Sequence, residues 1–162
     1  MTAQGIADEG YLVVIPKMPL NLAFTGINRA DSIRSDFSEI KTWVIGGHSL
    51  GGAMAAEYAQ NHADSLSGLI MYASYPANKE DFVDFPIPIL SISGSNDPGA
   101  PQQDAFYQAV RDSAQRVIIE GGNHRQYADY AFQRDDGVAT ISAAEQQRQI
   151  IAATVAFLDA LE

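Results

Sequence analysis

The chain has 162 residues, 46% of them hydrophobic and 19% charged, which is enough length and apolar content to bury one globular core. Its net charge of −10 argues against nucleic acid as a partner, because polyanions attract basic surfaces. Cysteine is absent, which excludes disulfides, thiolate chemistry and cysteine-ligated metal, and no apolar run approaches the length of a membrane span.

The first residues, Met1 to Glu9, lack the basic start and apolar core of a signal peptide, so the chain is expected to be cytoplasmic. Ile6-Ala7-Asp8-Glu9-Gly10 reads as the last turn of a helix closed by glycine. Tyr11 to Ile15 is apolar at every position, as buried parallel strands are, and Pro16 and Pro19 end it. Leu20 to Ser35 is expected to be helical, with a break near Thr25-Gly26. Thr42 to Ile45 is the next strand, followed by a turn and a helix running to about Asn61. Leu66 to Ala73 and Ile87 to Ser93 are strands, and Pro101 to Asp112 is a helix with proline in its first turn. After the strand Gln115 to Ile119, Ser142 caps a last helix, Ala143 to Leu161, whose Ile150, Ile151, Val155, Leu158 and Leu161 fall at helical spacing. Alternating strands and helices predict an α/β fold, in three α/β/α layers around a mostly parallel sheet of about five strands, as a single domain over 1–162. No internal repeat, low-complexity segment or linker interrupts it.

One stretch organises the chain. An apolar run, Trp43 to Gly46, meets an Ala-rich helical run through Gly47-His48-Ser49-Leu50-Gly51, a G-x-S-x-G pentapeptide. In that context the pattern predicts a nucleophile elbow, a tight strand-to-helix turn that presents one serine hydroxyl. Ser49 is expected at positive φ, with Gly47 and Gly51 giving the turn its room, and the helix N-terminus beside it would favour an oxyanion.

A serine hydroxyl needs a base, usually a histidine held by a carboxylate. His48 neighbours Ser49 but would point away and shape the elbow, and His62 falls at a helix end. His124 instead follows the strand Arg116 to Ile119 and the turn Glu120-Gly121-Gly122-Asn123, which puts it on the functional side of a parallel sheet. Asp97 occupies the same position after the preceding strand, whereas Asp104 falls inside a helix and Asp81 and Asp84 precede the strand. Ser49, Asp97, His124 is the order nucleophile, acid, base that α/β-hydrolases use.

On these residues the chain resembles α/β-hydrolase-fold esterases, and within them a compact bacterial branch akin to dienelactone hydrolases. The matching pieces are Gly10 to Val14, Pro19 to Ala23, Gly46 to Ala53, Gly94 to Asp97, Gly121 to Gln126 and Asp136 to Ser142. The resemblance implies a serine hydrolase of carboxylic esters with Ser49 as nucleophile, Asp97 as acid, His124 as base and the Leu50 backbone N–H as one oxyanion donor. It departs at the front, where relatives carry further strands before Gly10, one of which leads to the second oxyanion donor.

Substrate signals are weaker. Ser74 to Pro86 is too short a connection for a cap domain, so short or medium acyl esters are expected. Lys17, His48 and Tyr127 are the candidates for contact with substrate, and Tyr127, Tyr130 and Phe132 either line an acyl pocket or anchor the long loop Arg125 to Ile141. No phosphate-loop, dinucleotide or zincin motif is present, Asp135-Asp136 reads as a solvated pair, and no cofactor or metal is expected. With the intervening strand missing, Tyr11–Ile15 and Thr42–Ile45 are expected to pair directly, bringing Pro16-Lys17-Met18 beside the elbow so that Lys17 or Met18 supplies the second donor. An apolar edge strand without charge or proline is also expected to recruit another chain, so that a homodimer or a missing partner segment covers that edge.

Overall fold

Four apolar runs form one parallel sheet in the computed structural model, which describes residues 2–110, 114–128 and 133–161. The strands are β1 (Val44–His48), β2 (Gly68–Tyr72), β3 (Ile89–Gly94) and β4 (Ala114–Ile119), and they lie side by side in that order. Gly46 stands opposite Ile70, Ile70 opposite Leu90, and Leu90 opposite Gln115. Parallel neighbours require crossovers, and α3 (Leu50–His62) and α4 (Ala100–Val110) supply those from β1 to β2 and from β3 to β4. The return from β2 to β3 holds only a short 3-10 turn, Glu80–Phe82, and no cap domain.

Successive side chains of a strand point to opposite faces, so these runs feed two cores. Leu69, Met71 and Ile89 face α3 and α4, packing with Ala56, Tyr58, Phe106 and Val110. Ile70, Leu90, Ile92 and Ile119 face α5 (Ala143–Asp159), packing with Ile150 and Phe157. Helices on both faces are what make continuous apolar strands tolerable, and each of these fully buried side chains contributes about 1.5–3 kcal/mol. Ser142 caps α5 as its sequence predicts, its Oγ accepting the Glu145 N–H at 3.1 Å. Two further helices lie outside. α1 (Thr2–Asp8) rests on α5 with Ile6 buried, and α2 (Arg29–Asp36) is tied to α3 by the Tyr58 hydroxyl, which donates to Asp31 at 2.6 Å.

The front of the chain departs from expectation. Tyr11 to Ile15 has strand composition but joins no ladder among the described residues, so the sheet has four strands rather than five. Its start is held elsewhere: Gly10 closes α1 at φ 101°, and the Tyr11 hydroxyl donates to the Asp159 carboxylate of α5. An extended segment gains little without ladder bonds, and here Leu12 is 49% and Ile15 76% exposed, so the apolar composition is not matched by burial. Direct pairing of 11–15 with β1 does not form, and the homodimer expected through that edge strand loses its stated basis. The unpaired edges among the described residues are those of β1 and β4.

The helix expected over Leu20 to Ser35 is likewise shorter. Leu20 and Asn21 sit at φ 52° and 56°, the left-handed region, which stops a helix from propagating. The segment forms 3-10 turns at Pro19–Asn21 and Ala23–Thr25 instead, stitched by the Thr25 hydroxyl to the Pro19 and Leu22 carbonyls. α4 matches its expected span up to Val110, and Asp112 lies outside the described residues.

Native-state hydrogen exchange checks this topology. Amides of Leu69 to Tyr72 and Ile89 to Gly94 should be protected by orders of magnitude over those of Leu12 to Ile15. Comparable protection of both groups would show that 11–15 is paired.

Candidate active site

β1 ends at His48, Ser49 turns the chain at φ 54° and ψ −124°, and α3 begins at Leu50. A reversal this tight needs a bare backbone at two points. A Cβ on Gly47 would lie 2.4 Å from the Gly51 carbonyl, and one on Gly52 would lie 2.6 Å from the Gly47 oxygen and from Ser74. A Cβ on Gly51 would meet open space, so Gly52 rather than Gly51 is the second glycine that packing demands. Positive φ at serine costs about 1–3 kcal/mol and persists only where neighbours enforce it. The end of β2 and the residues just past it do so: the Ser49 N–H donates to the Tyr72 carbonyl at 3.0 Å, and the Ser74 hydroxyl donates to the Ser49 carbonyl at 2.6 Å. The Ser49 side chain makes no capping bond to α3. The first amides of α3 open beside it, carrying the positive end of the helix dipole.

The next two strands end in loops joined to each other. The Asn96 N–H donates to the Gly122 carbonyl at 2.8 Å, and the Gly121 N–H donates to the Ser95 hydroxyl at 2.8 Å. This brings Asp97 and His124 together, with His124 Nδ1 2.9 Å from Asp97 Oδ2. Asp97 is 4% exposed and accepts two more bonds, from Gln103 Nε2 at 3.0 Å and the Gly99 N–H at 2.7 Å. Burial alone would raise its carboxyl, but the bonds from His124, Gln103 and Gly99 outweigh burial and hold it below the ordinary value. The bond to Asp97 raises the His124 imidazole; burial opposes this, and the charges of Asp97 and Asp136 add to the rise. Nδ1 bonded to a carboxylate leaves Nε2 to exchange a proton.

The rival residues lie elsewhere. Asp104 pairs with Arg116, Asp81 accepts a bond from Gln60, and His62 stacks on Tyr58 near Asp31. His48 comes close to the pair: its ring lies 4.5 Å from that of His124 and stacks on Tyr127 at 5.4 Å, and it bonds the His124 backbone. Burial first, and then the nearby His124, lower its pKa to about 4, so it stays neutral beside its partner. Tyr127 is 6% exposed and packs in the α5-side core. Tyr130 and Phe132 lie outside the described residues. Lys17 and Met18 wall an open cleft of about 270 Å³ with Pro19, Leu20, Asn21 and Arg29, and Ser49 is not among its lining residues. The pairing that was to bring them to the elbow is absent, so the expected second donor loses its support.

Three side chains that sequence reasoning passed over hold the site. Gln103 supports Asp97. Gln146 of α5 clamps the peptide before His124, its Oε1 accepting the Asn123 N–H at 3.0 Å and its Nε2 donating to the Asn123 carbonyl at 2.8 Å. Asp136 is not a merely solvated carboxylate, because it accepts the His124 and Arg125 N–H groups at 3.0 and 2.9 Å. The glutamines leave a trace in the sequence: each occupies a position of the buried stripe, Gln103 with Phe106 and Val110, and Gln146 with Ile150, Thr154 and Phe157.

A profile described as "Alpha/beta hydrolase family" matches residues 1–148. No protein of curated function matches the sequence. Among solved structures, a predicted CIB-like hydrolase from Thermoplasma acidophilum is 23% identical, with a TM-score of 0.58 over 82% of this chain and 62% of that one. A thermophilic esterase from Thermogutta terrifontis is 13% identical, with a TM-score of 0.68 over 99% of this chain and 85% of that one. A dienelactone hydrolase-like promiscuous phosphotriesterase from metagenomic libraries is 15% identical, with a TM-score of 0.58 over 84% of this chain and 59% of that one. The chain thus spans less than two thirds of the first and third of these structures. At these identities the likeness is one of fold.

The Asp97–His124 bond has a pH signature. Asp97 is depressed, so it contributes stability above its unfolded pKa of about 3.9, lost as pH falls through the folded value. His124 is raised, so it contributes below its unfolded pKa of about 6.5, lost as pH rises through the folded value. Both act together between about pH 4 and 6.5. In urea unfolding, Asp97→Asn should cost about 1–3 kcal/mol in that window and less once pH has risen past the folded His124 value. A difference that is flat with pH would contradict the pairing.

Proposed function

The chain belongs to the alpha/beta hydrolase family, and from that premise we propose that it is a serine hydrolase of carboxylic esters. The observation that carries this reading is a partly buried Asp97–His124 hydrogen bond, its histidine ring 4.5 Å from the ring of His48, which precedes a strained, elbow-borne serine. In the proposed reaction Ser49 Oγ attacks the ester carbonyl while His124 Nε2 takes its proton. Asp97 holds the Nδ1–H tautomer and offsets the imidazolium charge. The Leu50 N–H, at the start of α3, donates to the oxyanion. His124 then returns the proton to the leaving alkoxide, and water repeats the sequence on the acyl-enzyme.

Short to medium acyl chains fit best. No cap domain covers the strand ends, and Leu50 and Tyr75, which follow β1 and β2, are 47% and 42% exposed. Thioester or dienelactone-type substrates would use the same groups on another leaving group. One observation favours a second reading, a weakly active or non-catalytic member of the fold: Tyr11 to Ile15 joins no ladder among the described residues, so the pairing that would carry Lys17 or Met18 to the elbow is not formed. Loss of one oxyanion donor costs about 10²–10³ in rate.

Turnover of p-nitrophenyl esters tests the proposal. Ser49→Ala should lower kcat by about 10⁴–10⁶. Equal turnover by both proteins would reject it. In a series from acetate to palmitate the maximum should fall at short or medium chains, and a maximum at palmitate would reject the substrate assignment.

A further inference from the structure

The long segment after His124 returns across both loops of the site. Asn96 Nδ2, one residue before the acid, donates to the Val138 carbonyl at 2.9 Å. Asn123 Nδ2, one residue before the base, donates to the Gly137 carbonyl at 2.8 Å. The Thr140 N–H donates to the Gly121 carbonyl at 2.8 Å. Between these ties the strap lies directly on the acid loop: a Cβ on Gly137 would fall 1.8 Å from the Asn96 oxygen, so only glycine fits. At its head, Asp136 Oδ1 and Oδ2 accept the N–H groups of His124 and Arg125, the start of a 3-10 turn.

We propose that the strap 136–141 holds the acid and base loops in register, and that Asp136 is a positioning residue for His124, fixing its backbone and setting its charge balance. This rests on the reading of His124 as the base. Asp136 grips the peptide of the base rather than its ring, so it leaves Nδ1 to Asp97 and Nε2 to the substrate. Its negative charge sits beside the imidazole without competing for either nitrogen. The charged and titratable groups around His124 are Asp97 from the β3 loop, Asp136 from the strap and His48 from the end of β1, with Tyr127 stacked behind His48. His48 and Tyr127 are both neutral at ordinary pH, so among the described residues Asp136 is the second anion acting on His124 after Asp97.

Asp136→Asn keeps the side chain's shape and one of its two accepting oxygens and removes the charge. Losing an anion favours neutral imidazole, so the His124 titration followed by NMR should move to lower pH by about half a unit. The resonance is identified by its absence in His124→Gln. The acid limb of kcat/KM for p-nitrophenyl acetate should move the same way. Asp136→Ser, which can still accept an N–H and carries no charge, should give the same shift and stands in if the asparagine variant does not fold. A cap with a purely structural role would leave the His124 midpoint unchanged, and that result overturns the proposal. The titration needs no turnover, so a protein that titrates as expected but cleaves no ester would reject the esterase reading and not this one.

Discussion

A carboxylate taken out of water must be fully hydrogen-bonded or it takes up a proton, and the site is arranged around that constraint at Asp97. Its donors come from separate places: Gly99 in its own loop, Gln103 on α4 and His124 beyond β4. Satisfying it requires β3 and β4 in parallel register, α4 docked on the sheet, and the β4 loop folded back over the β3 loop. The Asp97–His124 bond is therefore supported by the fold as a whole.

The elbow answers the same requirement from the other side. Ser49 is held at positive φ by the Tyr72 carbonyl at the end of β2 and by Ser74 just past it, so β1 and β2 must be paired before the serine can be presented. The glycines that make this possible are those whose neighbours are backbone, Gly47 and Gly52. Strain at one residue and burial of one charge both depend on strand pairing. This is why chemistry at the carboxyl end of a parallel sheet can be carried by loops without being loose.

Much of this was legible in the sequence, because strand ends in a parallel sheet are ordered by simple rules. Ser49, Asp97 and His124 each follow an apolar run, and β1 to β4 lie close to where those runs predicted. Tyr11 to Ile15 was misread because composition reports what a segment would bury and not whether a neighbour is there to pair with it. Leu20 and Asn21 were misread because left-handed backbone at such residues is imposed by surrounding contacts and leaves no mark in propensity. Asp136 looked like surface charge because its partners are backbone amides twelve and eleven residues away. Gln103 and Gln146 were readable in principle, as polar residues inside apolar stripes, but a stripe does not say which backbone or carboxylate its amide will meet.

The proposed acyl transfer requires Ser49 to be activated by His124, and one measurement addresses that directly. A fluorophosphonate should add once per chain, on the peptide carrying Ser49, and His124→Gln should slow that addition by orders of magnitude. Failure to label, labelling of another residue, or labelling indifferent to His124 would contradict it.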